Sequence, residues 1–216
     1  MKVNEIFSSI DGEGIRAGEL ATFIRLAGCN LRCNYCDTKY ALAQDSGKEM
    51  TVSEILEKVN EFNVKNITLT GGEPLIHKDI EKLIYKLIKN GYKVNIETNG
   101  SVDIEKFLNK CLITMDYKCP SSLMENTMML ENLEKLTEND VLKFVIRKED
   151  FNTVEKILRE YKLKSYIYIS PVFNEIEISD IVEFMKKCNF NGINMSKVRL
   201  QLQLHKIIWS PDMTGV

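Results

Sequence analysis

The chain has 216 residues, of which 44% are hydrophobic, so it can bury a core without disulfide staples, and we expect one domain over residues 1–216. Its 29 basic and 31 acidic residues give a formal charge of -2, which does not favour nucleic-acid binding. The N-terminal segment lacks the apolar core of a signal peptide, and no later segment is long and apolar enough to span a bilayer. The sequence therefore predicts a cytoplasmic protein that does not bind membranes.

Strand and helix patterns alternate along the chain. Short β-branched or aromatic runs predict strands at 21–28, 66–72, 92–100, 112–118, 141–147, 166–172 and 198–204. Helical periodicity predicts helices after the Thr51 and Glu54 capping box, along the apolar stripe 80–88, and near 103–109, 127–136, 150–161 and 179–189. This alternation predicts a mostly parallel α/β sheet, either doubly wound or curled into a full or partial barrel, with its chemistry at the carboxyl ends of the strands.

Three cysteines lie close together after the first of these strands. Cys29, Cys33 and Cys36 occur within "GCNLRCNYCDT", and no fourth ligand lies beside them. A structural zinc site needs four N or S ligands, whereas the other cysteines and both histidines are scattered singly. Three thiolates with an open fourth position suit an iron–sulfur cluster in which one iron is free for an exogenous ligand. Spacing alone leaves zinc and iron–sulfur both open, since both accept thiolates.

A glycine-rich turn follows the second predicted strand. In "TGGEP", Gly71 and Gly72 let a ligand approach the main chain closely, although the segment is also typical of a strand-to-helix turn. Together with the C-x3-C-x2-C spacing, the turn resembles the radical S-adenosylmethionine (SAM) superfamily. The resemblance implies that Cys29, Cys33 and Cys36 hold a 4Fe-4S cluster whose fourth iron binds S-adenosylmethionine. It also implies a single radical SAM domain with a partial or distorted (β/α) barrel.

Further segments narrow this resemblance. The segments "SSIDGEG", "FIRLAGCNLRCNYCDT", "ETNG", "DYKCPSS" and "QLQLHKIIW" together resemble the 7-carboxy-7-deazaguanine synthase family over nearly the whole chain. The resemblance implies a radical SAM lyase that converts 6-carboxy-5,6,7,8-tetrahydropterin to 7-carboxy-7-deazaguanine by ring contraction with loss of ammonia, in 7-deazapurine and queuosine biosynthesis. It also implies Mg2+, a flavodoxin or ferredoxin type reductant and a homodimer.

The same resemblance implies roles for individual residues, with no catalytic group beyond the cofactor-derived radical. Thr38, two positions after the third cysteine, is expected to hold Mg2+. Contacts to S-adenosylmethionine are expected from Tyr35, Cys36, Asp37, Gly72, Glu73, Asp116, Tyr117, Lys118, Ser170, Pro171, Val172 and Phe173. Contacts to the pterin are expected from Ile10, Asp11, Gly12, Glu13, Arg25, Thr70, His205 and Val216.

Several of these residues have ordinary alternatives. Taken alone, Arg25 predicts a surface salt bridge, Glu13 a loop acid and Thr38 a turn residue. Asp11 stands where the family more often has Gln, which predicts altered pterin recognition with an added negative charge.

The end of the chain carries a further expectation. His205 alternates in phase with Gln201 and Gln203 on the last predicted strand, so the three side chains are expected to share one face. Isolated cysteines are expected to act as small buried hydrophobes, namely Cys111, Cys119 and Cys188.

Two other functions compete with the synthase. An activating enzyme that makes a glycyl radical on a partner protein would share the cysteines and the glycine turn, but would need a protein-docking surface. A zinc-binding module without enzymatic activity would share only the cysteines. A visible spectrum separates the zinc module, since zinc is colourless and an iron–sulfur cluster is brown.

Overall fold

The described residues, 1–211 and 213–216 of this computed structural model, form one sheet of nine strands. These are β1 (Lys2–Ile10), β2 (Leu20–Leu26), β3 (Lys48–Glu49), β4 (Asn66–Gly71), β5 (Lys93–Thr98), β6 (Leu112–Tyr117), β7 (Val141–Ile146), β8 (Tyr166–Pro171) and β9 (Val198–Leu200). The strand order is β3-β1-β2-β4-β5-β6-β7-β8-β9, so the sheet is open, with β3 and β9 at its edges. β1 is antiparallel to β2 and β3, and every pairing from β2 to β9 is parallel, which confirms the predicted mostly parallel α/β sheet.

Helices connect the parallel strands. They are α1 (Val52–Glu61), α2 (Ile80–Lys89), α3 (Glu131–Lys135), α4 (Phe151–Glu160), α5 (Ile178–Phe190) and α6 (Leu204–Ile208). The predicted capping box begins α1: Thr51 Oγ1 accepts the Glu54 N–H at 3.2 Å, and the Glu54 carboxylate accepts the Thr51 N–H at 2.7 Å. No helix among the described residues is long and apolar enough to cross a lipid bilayer.

Two predicted helices are shorter than expected. The segment 103–109 contains only a 3₁₀ turn at Glu105–Phe107, because the Asp103 side chain accepts the Glu105 N–H at 3.0 Å in a local turn. Within 127–136, only the five residues of α3 are α-helical.

The two ends of the sheet also differ from the prediction. β1 was not predicted, and the last strand ends at Leu200 rather than at residue 204. His205 lies in α6, so the expectation that it alternates with Gln201 and Gln203 on a strand is wrong. The chain turns after β9 because the Leu204 N–H bonds to the carbonyl of Gly12, 3.1 Å away in the loop after β1.

Alternation along the strands separates an apolar face from a polar face. The apolar face joins the buried side chains of α1, α2, α4 and α5 in one core, to which each side chain contributes about 1.5–3 kcal/mol. In register on the polar face, Arg25 pairs with Thr70 and Asp116 pairs with Lys143. The strand residues of the apolar face include Ile24, Leu26, Ile67, Leu69, Ile96, Ile113, Met115, Leu142, Phe144, Ile167 and Ile169.

The loop after β1 connects the β1 side of the open sheet to the segment that follows β9, although β1 and β9 are not hydrogen-bonded to each other. In the loop after β1, the Gly14 N–H donates to Gln201 Oε1 at 2.8 Å, and Gln201 Nε2 donates to the Gly14 carbonyl at 3.0 Å. Arg16 ties the same loop to the first residues of β4 and β5, since its guanidinium donates to the carbonyls of Ile67 and Lys93. The loop therefore crosses the polar face of the open sheet and reaches the segment that follows the edge strand β9.

Candidate active site

A cavity of about 570 Å³ lies at the carboxyl ends of the parallel strands, where the strand order predicts chemistry. It brings together most residues that the sequence indicated, namely Ile10, Gly12, Glu13, Arg25, Cys29, Cys33, Tyr35, Cys36, Asp37, Thr38, Thr70, Gly72, Asp116, Lys118, Val172, Phe173, His205 and Val216. The indicated residues that do not line it are Asp11, Glu73, Tyr117, Ser170 and Pro171.

The cysteine loop opens onto this cavity. Cys29, Cys33 and Cys36 are free, half-buried thiols on its wall. The Leu31 N–H lies 3.4 Å from Cys29 Sγ and Asn99 Nδ2 lies 3.8 Å from it, so donors already face that sulfur. Burial raises the pKa of the Cys29 and Cys33 thiols.

The three thiols fit the ligand set of an iron–sulfur cluster. A tetrahedral zinc site would need four ligands that converge on one point, whereas an iron–sulfur cluster spreads its thiolates around a larger body. Three thiols that face one cavity, with donors beside the first, therefore suit a 4Fe-4S cluster.

The glycine turn packs directly against the cysteine loop. A Cβ added to Gly72 would lie 2.1 Å from the Gly28 carbonyl oxygen and 2.8 Å from Cys29 Cβ, so any side chain would separate the two segments. Gly28 itself has a φ of 102°, which favours glycine. Glycine at both positions therefore lets the turn pack against the first cysteine, and Gly72 also lines the cavity.

Glu73 lies behind the cavity wall rather than in it. Its side chain is fully buried and accepts hydrogen bonds from Leu75 N at 3.0 Å, Thr98 Oγ1 at 2.9 Å and Asn99 N at 2.6 Å. Burial raises the pKa of Glu73 to about 7. The carboxylate therefore fixes the end of β5 against the glycine turn.

A network of charges forms the floor of the cavity. Lys143 Nζ lies 2.9 Å from Glu13 Oε2 and 3.5 Å from Asp116 Oδ2, and Lys118 Nζ lies 3.0 Å from the same Asp116 oxygen. Lys143 is only 8% exposed. Burial alone would lower the pKa of Lys143, but Glu13 and Asp116 raise it well above its usual range.

Arg25 stands at the opposite side of the cavity. Glu5 accepts its Nε–H at 2.6 Å, and Tyr40 Oη donates to the same Glu5 oxygen at 2.8 Å. The guanidinium carbon lies 6.0 Å from the centre of the Phe7 ring and 5.8 Å from that of Tyr40. Arg25 is therefore part of the cavity lining and not an exposed surface ion pair.

Helix α6, after β9, contributes Lys206 and His205 to the cavity lining. Lys206 Nζ lies 2.8 Å from Asp37 Oδ2, and Thr38 Oγ1 donates to Asp37 Oδ1 at 3.0 Å. Burial alone would raise the pKa of Asp37, but Lys206 and Thr38 lower it. Burial lowers the pKa of His205, which keeps its ring neutral at neutral pH.

Asp11 is directed away from the cavity. Its carboxylate accepts the Thr68 hydroxyl at 2.7 Å and lies 2.9 Å from Arg16 Nε. Burial outweighs the attraction of Arg16 and raises the pKa of Asp11 to about 6. We expected the Asp11 carboxylate to affect pterin recognition directly. Instead it lies outside the cavity lining, where it helps to hold the loop after β1 through Thr68 and Arg16.

Comparison with known proteins decides the family. The sequence pattern of the Radical SAM superfamily matches residues 23–188. A 7-carboxy-7-deazaguanine synthase from Clostridium acetobutylicum is 48% identical over 223 residues, which cover 100% of this chain and 99% of the relative. The chain belongs to the 7-carboxy-7-deazaguanine synthase family. Another synthase so named, from Methanospirillum hungatei, is 39% identical over 98% of this chain and 86% of its own length.

Solved structures show the same fold. QueE from Escherichia coli matches with a TM-score of 0.71 and 23% identity over 94% of both chains. Streptococcus suis SuiB bound to S-adenosylmethionine matches with a TM-score of 0.56 and 14% identity over 81% of this chain and 48% of that one. This member of the synthase family is thus a radical SAM enzyme of 7-deazapurine biosynthesis that acts on a small molecule. Membership in the superfamily implies a 4Fe-4S cluster and S-adenosylmethionine.

Sequence patterns missed several residues of this synthase-family cavity. Lys143 is the single charged residue in the otherwise apolar run "VLKFVI", and a lone cation on a buried strand was the signal that could have found it. Lys206 and Glu97 lay inside segments that carried the resemblance but had no assigned role. Phe7 lies on the unpredicted β1, so nothing indicated its place.

Proposed function

We propose that the chain converts 6-carboxy-5,6,7,8-tetrahydropterin to 7-carboxy-7-deazaguanine by a radical ring contraction. One observation carries the proposal: a single cavity joins the three-cysteine loop to a pocket lined by Glu13, Arg25 and His205. Loss of ammonia from the substrate balances the conversion, so no net oxidant is needed. The name of the Clostridium acetobutylicum relative supports the same reaction.

The cofactor part of the cavity is proposed as follows. When bound, the cluster and S-adenosylmethionine supply one-electron chemistry that abstracts a hydrogen atom from the substrate. Cys29, Cys33 and Cys36 would hold the cluster, and Gly72, which lines the cavity beside them, would contact S-adenosylmethionine through its main chain. Further contacts would come from residues 35–37 and from the strand ends at Asp116, Lys118, Val172 and Phe173. The strand-end residues that do not line the cavity would support its wall, namely Glu73, Tyr117, Ser170 and Pro171.

The pterin part of the cavity is proposed to be lined by Glu13, Arg25 and His205. Glu13 would accept hydrogen bonds from the amines of the pyrimidine edge, and Arg25 would bind the anionic end or the ring. His205, neutral because of its burial, would orient the substrate rather than add charge. Other contacts would come from Ile10, Gly12, Thr70 and Val216, with Asp11 acting on the loop from behind.

Five further features belong to the same proposal. Thr38 would hold Mg2+ with the help of substrate oxygens, and its hydroxyl lines the cavity beside Asp37. A flavodoxin or ferredoxin type protein would reduce the cluster, and two chains would form a homodimer. A cytoplasmic location would keep the thiols reduced, and the six cysteines are free. The continuous sheet supports one radical SAM domain over residues 1–216.

Anaerobic reconstitution followed by a turnover assay tests the proposal. Cluster-loaded protein with S-adenosylmethionine, Mg2+ and dithionite should convert the carboxytetrahydropterin, with the product identified by mass. Arg25→Ala should keep the visible absorption of the cluster and lose the product, because the cavity loses its cationic fork. An intact cluster without conversion would reject the reaction and favour an activating enzyme, and colourless zinc-containing protein would reject the cluster.

A further inference from the structure

Lys143 lies between the two proposed parts of the cavity. Because β6 and β7 pair in the register that aligns Asp116 with Lys143, the two side chains are neighbours on the polar face. The Lys143 ammonium also lies 2.9 Å from a Glu13 oxygen, on the loop that follows β1. Glu13 belongs to the proposed pterin part and Asp116 to the proposed S-adenosylmethionine part. One buried cation therefore contacts a carboxylate from each.

Each of these carboxylates has one oxygen atom that is available to accept a hydrogen bond from a ligand. Glu13 Oε1 and Asp116 Oδ1 are buried and have no hydrogen-bond partner among residues 1–211 and 213–216. A buried acceptor without a donor costs about 1–3 kcal/mol, which a ligand removes if it brings an N–H or O–H group. The pyrimidine edge of the pterin carries such N–H groups, and S-adenosylmethionine carries ribose hydroxyls and an amine.

Lys143 also balances the negative charge of Glu13 and Asp116 in the cavity floor. Without it, two carboxylates would face one another in a buried site with Lys118 as the nearest cation, and one of them would take up a proton. Burial alone would lower the pKa of Lys143, but the surrounding carboxylates raise it well above its usual range. The titratable groups that face Lys143 from the packed elements are Glu13, Asp37, Glu97, Asp116, Lys118 and His205.

We propose that Lys143 is a positioning residue that directs the Glu13 carboxylate at the pterin and the Asp116 carboxylate at S-adenosylmethionine. The inference rests on the proposed function and adds a residue to that same site. Lys118 provides the natural contrast, since it pairs with Asp116 at 3.0 Å on the cofactor side.

Binding measurements on the full-length, cluster-loaded but unreduced protein test this role without turnover. Lys143→Met should weaken the affinity for both the carboxytetrahydropterin and S-adenosylmethionine by about 10- to 100-fold, the range of a charge-assisted hydrogen bond. The matched variant Lys118→Met should weaken S-adenosylmethionine alone. In a Glu13→Gln background, Lys143→Met should cost little further pterin affinity, because the lysine acts through Glu13.

A pH series separates positioning from a merely structural role. Pterin affinity of the wild type should change little between about pH 6 and 8, whereas that of Lys143→Met should fall on acidification as a carboxylate gains a proton. Lys143→Arg should restore the flat profile. Circular dichroism and the visible cluster spectrum check the fold, and Lys143→Gln replaces the Met variant if that variant does not fold.

Two outcomes would overturn the inference. One is wild-type affinity for both ligands in Lys143→Met, and the other is an equal loss of pterin affinity whether residue 13 is Glu or Gln. Failure of the proposed function is a separate result, because it would appear as wild-type protein that carries its cluster and does not convert the pterin.

Discussion

The absence of a side chain at Gly12 leaves the space that the His205 ring occupies in the cavity. A Cβ added to Gly12 would lie 2.3 Å from His205 Nδ1, so the imidazole occupies the volume that any side chain at position 12 would need. The Leu204 N–H bonds to the Gly12 carbonyl, which keeps the two segments in this contact. Glycine is therefore required at this position by the close approach of a neighbour.

Gly12→Ala should displace His205 from the pterin part of the cavity. We expect the affinity for the carboxytetrahydropterin to fall about tenfold or more, the equivalent of one hydrogen bond, while the cluster absorption is retained. Equilibrium dialysis on unreduced protein measures this. Gly192→Ala is the control: its φ of 81° makes it cost about 1 kcal/mol of stability, but nothing lies within 4 Å of the added Cβ. Unchanged affinity in Gly12→Ala would remove His205 from the site.

Asp11 gives a pH dependence with a defined sign. Its pKa rises from 3.8 to about 6 on burial, so the folded protein binds a proton that the unfolded chain has lost between these values. The stability contributed by protonated Asp11 is complete below about pH 4 and is lost as the pH rises through about 6.

Relative to Asp11→Asn, the wild type should therefore lose free energy of unfolding as the pH rises from about 4 to 7, by at most about 3 kcal/mol. Urea unfolding of both proteins at several pH values gives the difference. The opposite slope would mean that the Arg16 ion pair, 2.9 Å away, outweighs burial.

At the scale of elements, the loop after β1 connects two parts of the sheet that are not joined by strand pairing. Two hydrogen bonds between Gly14 and Gln201 join it to the segment after β9, and Arg16 fixes it to the start of β4 and β5. Glu13 lies between these anchors, so its direction toward Lys143 depends on both. The position of Glu13, a proposed substrate contact, is thus set by segments near the two ends of the chain together.

Gln201→Ala removes both side-chain bonds to Gly14 and should cost about 2 kcal/mol of stability. Amide hydrogen exchange in residues 11–19 should become faster, because local opening needs less free energy. Gln203→Ala is the control for exchange, since the Leu204 main-chain bond to Gly12 remains. Equal exchange in the wild type and Gln201→Ala would show that the other anchors, such as Arg16 and the Leu204 bond to Gly12, hold the loop without Gln201.

At the scale of the whole molecule, the parallel part of the fold was predictable and its edges were not. Strands such as β4 and β7 have buried runs bounded by turns, and these local patterns specify them. β1 was missed because most of its residues are half-buried, so they do not alternate cleanly between a buried and an exposed face. The helix at His205 depends on a bond to Gly12, 192 residues earlier in sequence than Leu204, which no local pattern encodes.

The same distinction holds for the site. The cysteines and the glycine turn are short motifs, and the structure places both on one cavity wall. The sequence marks Lys143 as an unusual cation on a buried strand, but its partners Asp116 and Glu13 are known only once β7 aligns with β6 and the loop after β1 reaches it. The arrangement of charged side chains on the cavity floor therefore depends on contacts between segments that are distant in sequence. The position of the expected iron–sulfur cluster depends on short local motifs.

The thermal stability of the protein should show whether S-adenosylmethionine binds through the cluster. With S-adenosylmethionine at about 100 times its dissociation constant, the free energy of unfolding of cluster-loaded protein should rise by about 2.7 kcal/mol. For a chain of 216 residues this corresponds to a Tm increase of roughly 5–10 °C. Anaerobic thermal unfolding measures the shift.

Cys33→Ser should lose both the cluster absorption and this Tm increase, because S-adenosylmethionine then lacks the iron that binds it. Cys111→Ser is the matched control: its thiol lies outside the cavity and donates to the Phe107 carbonyl at 3.6 Å, a bond that a serine hydroxyl also makes. It should keep the full increase. A Tm increase that persists in Cys33→Ser would mean that the cofactor binds to the protein walls alone, and the three-cysteine loop would then not anchor it.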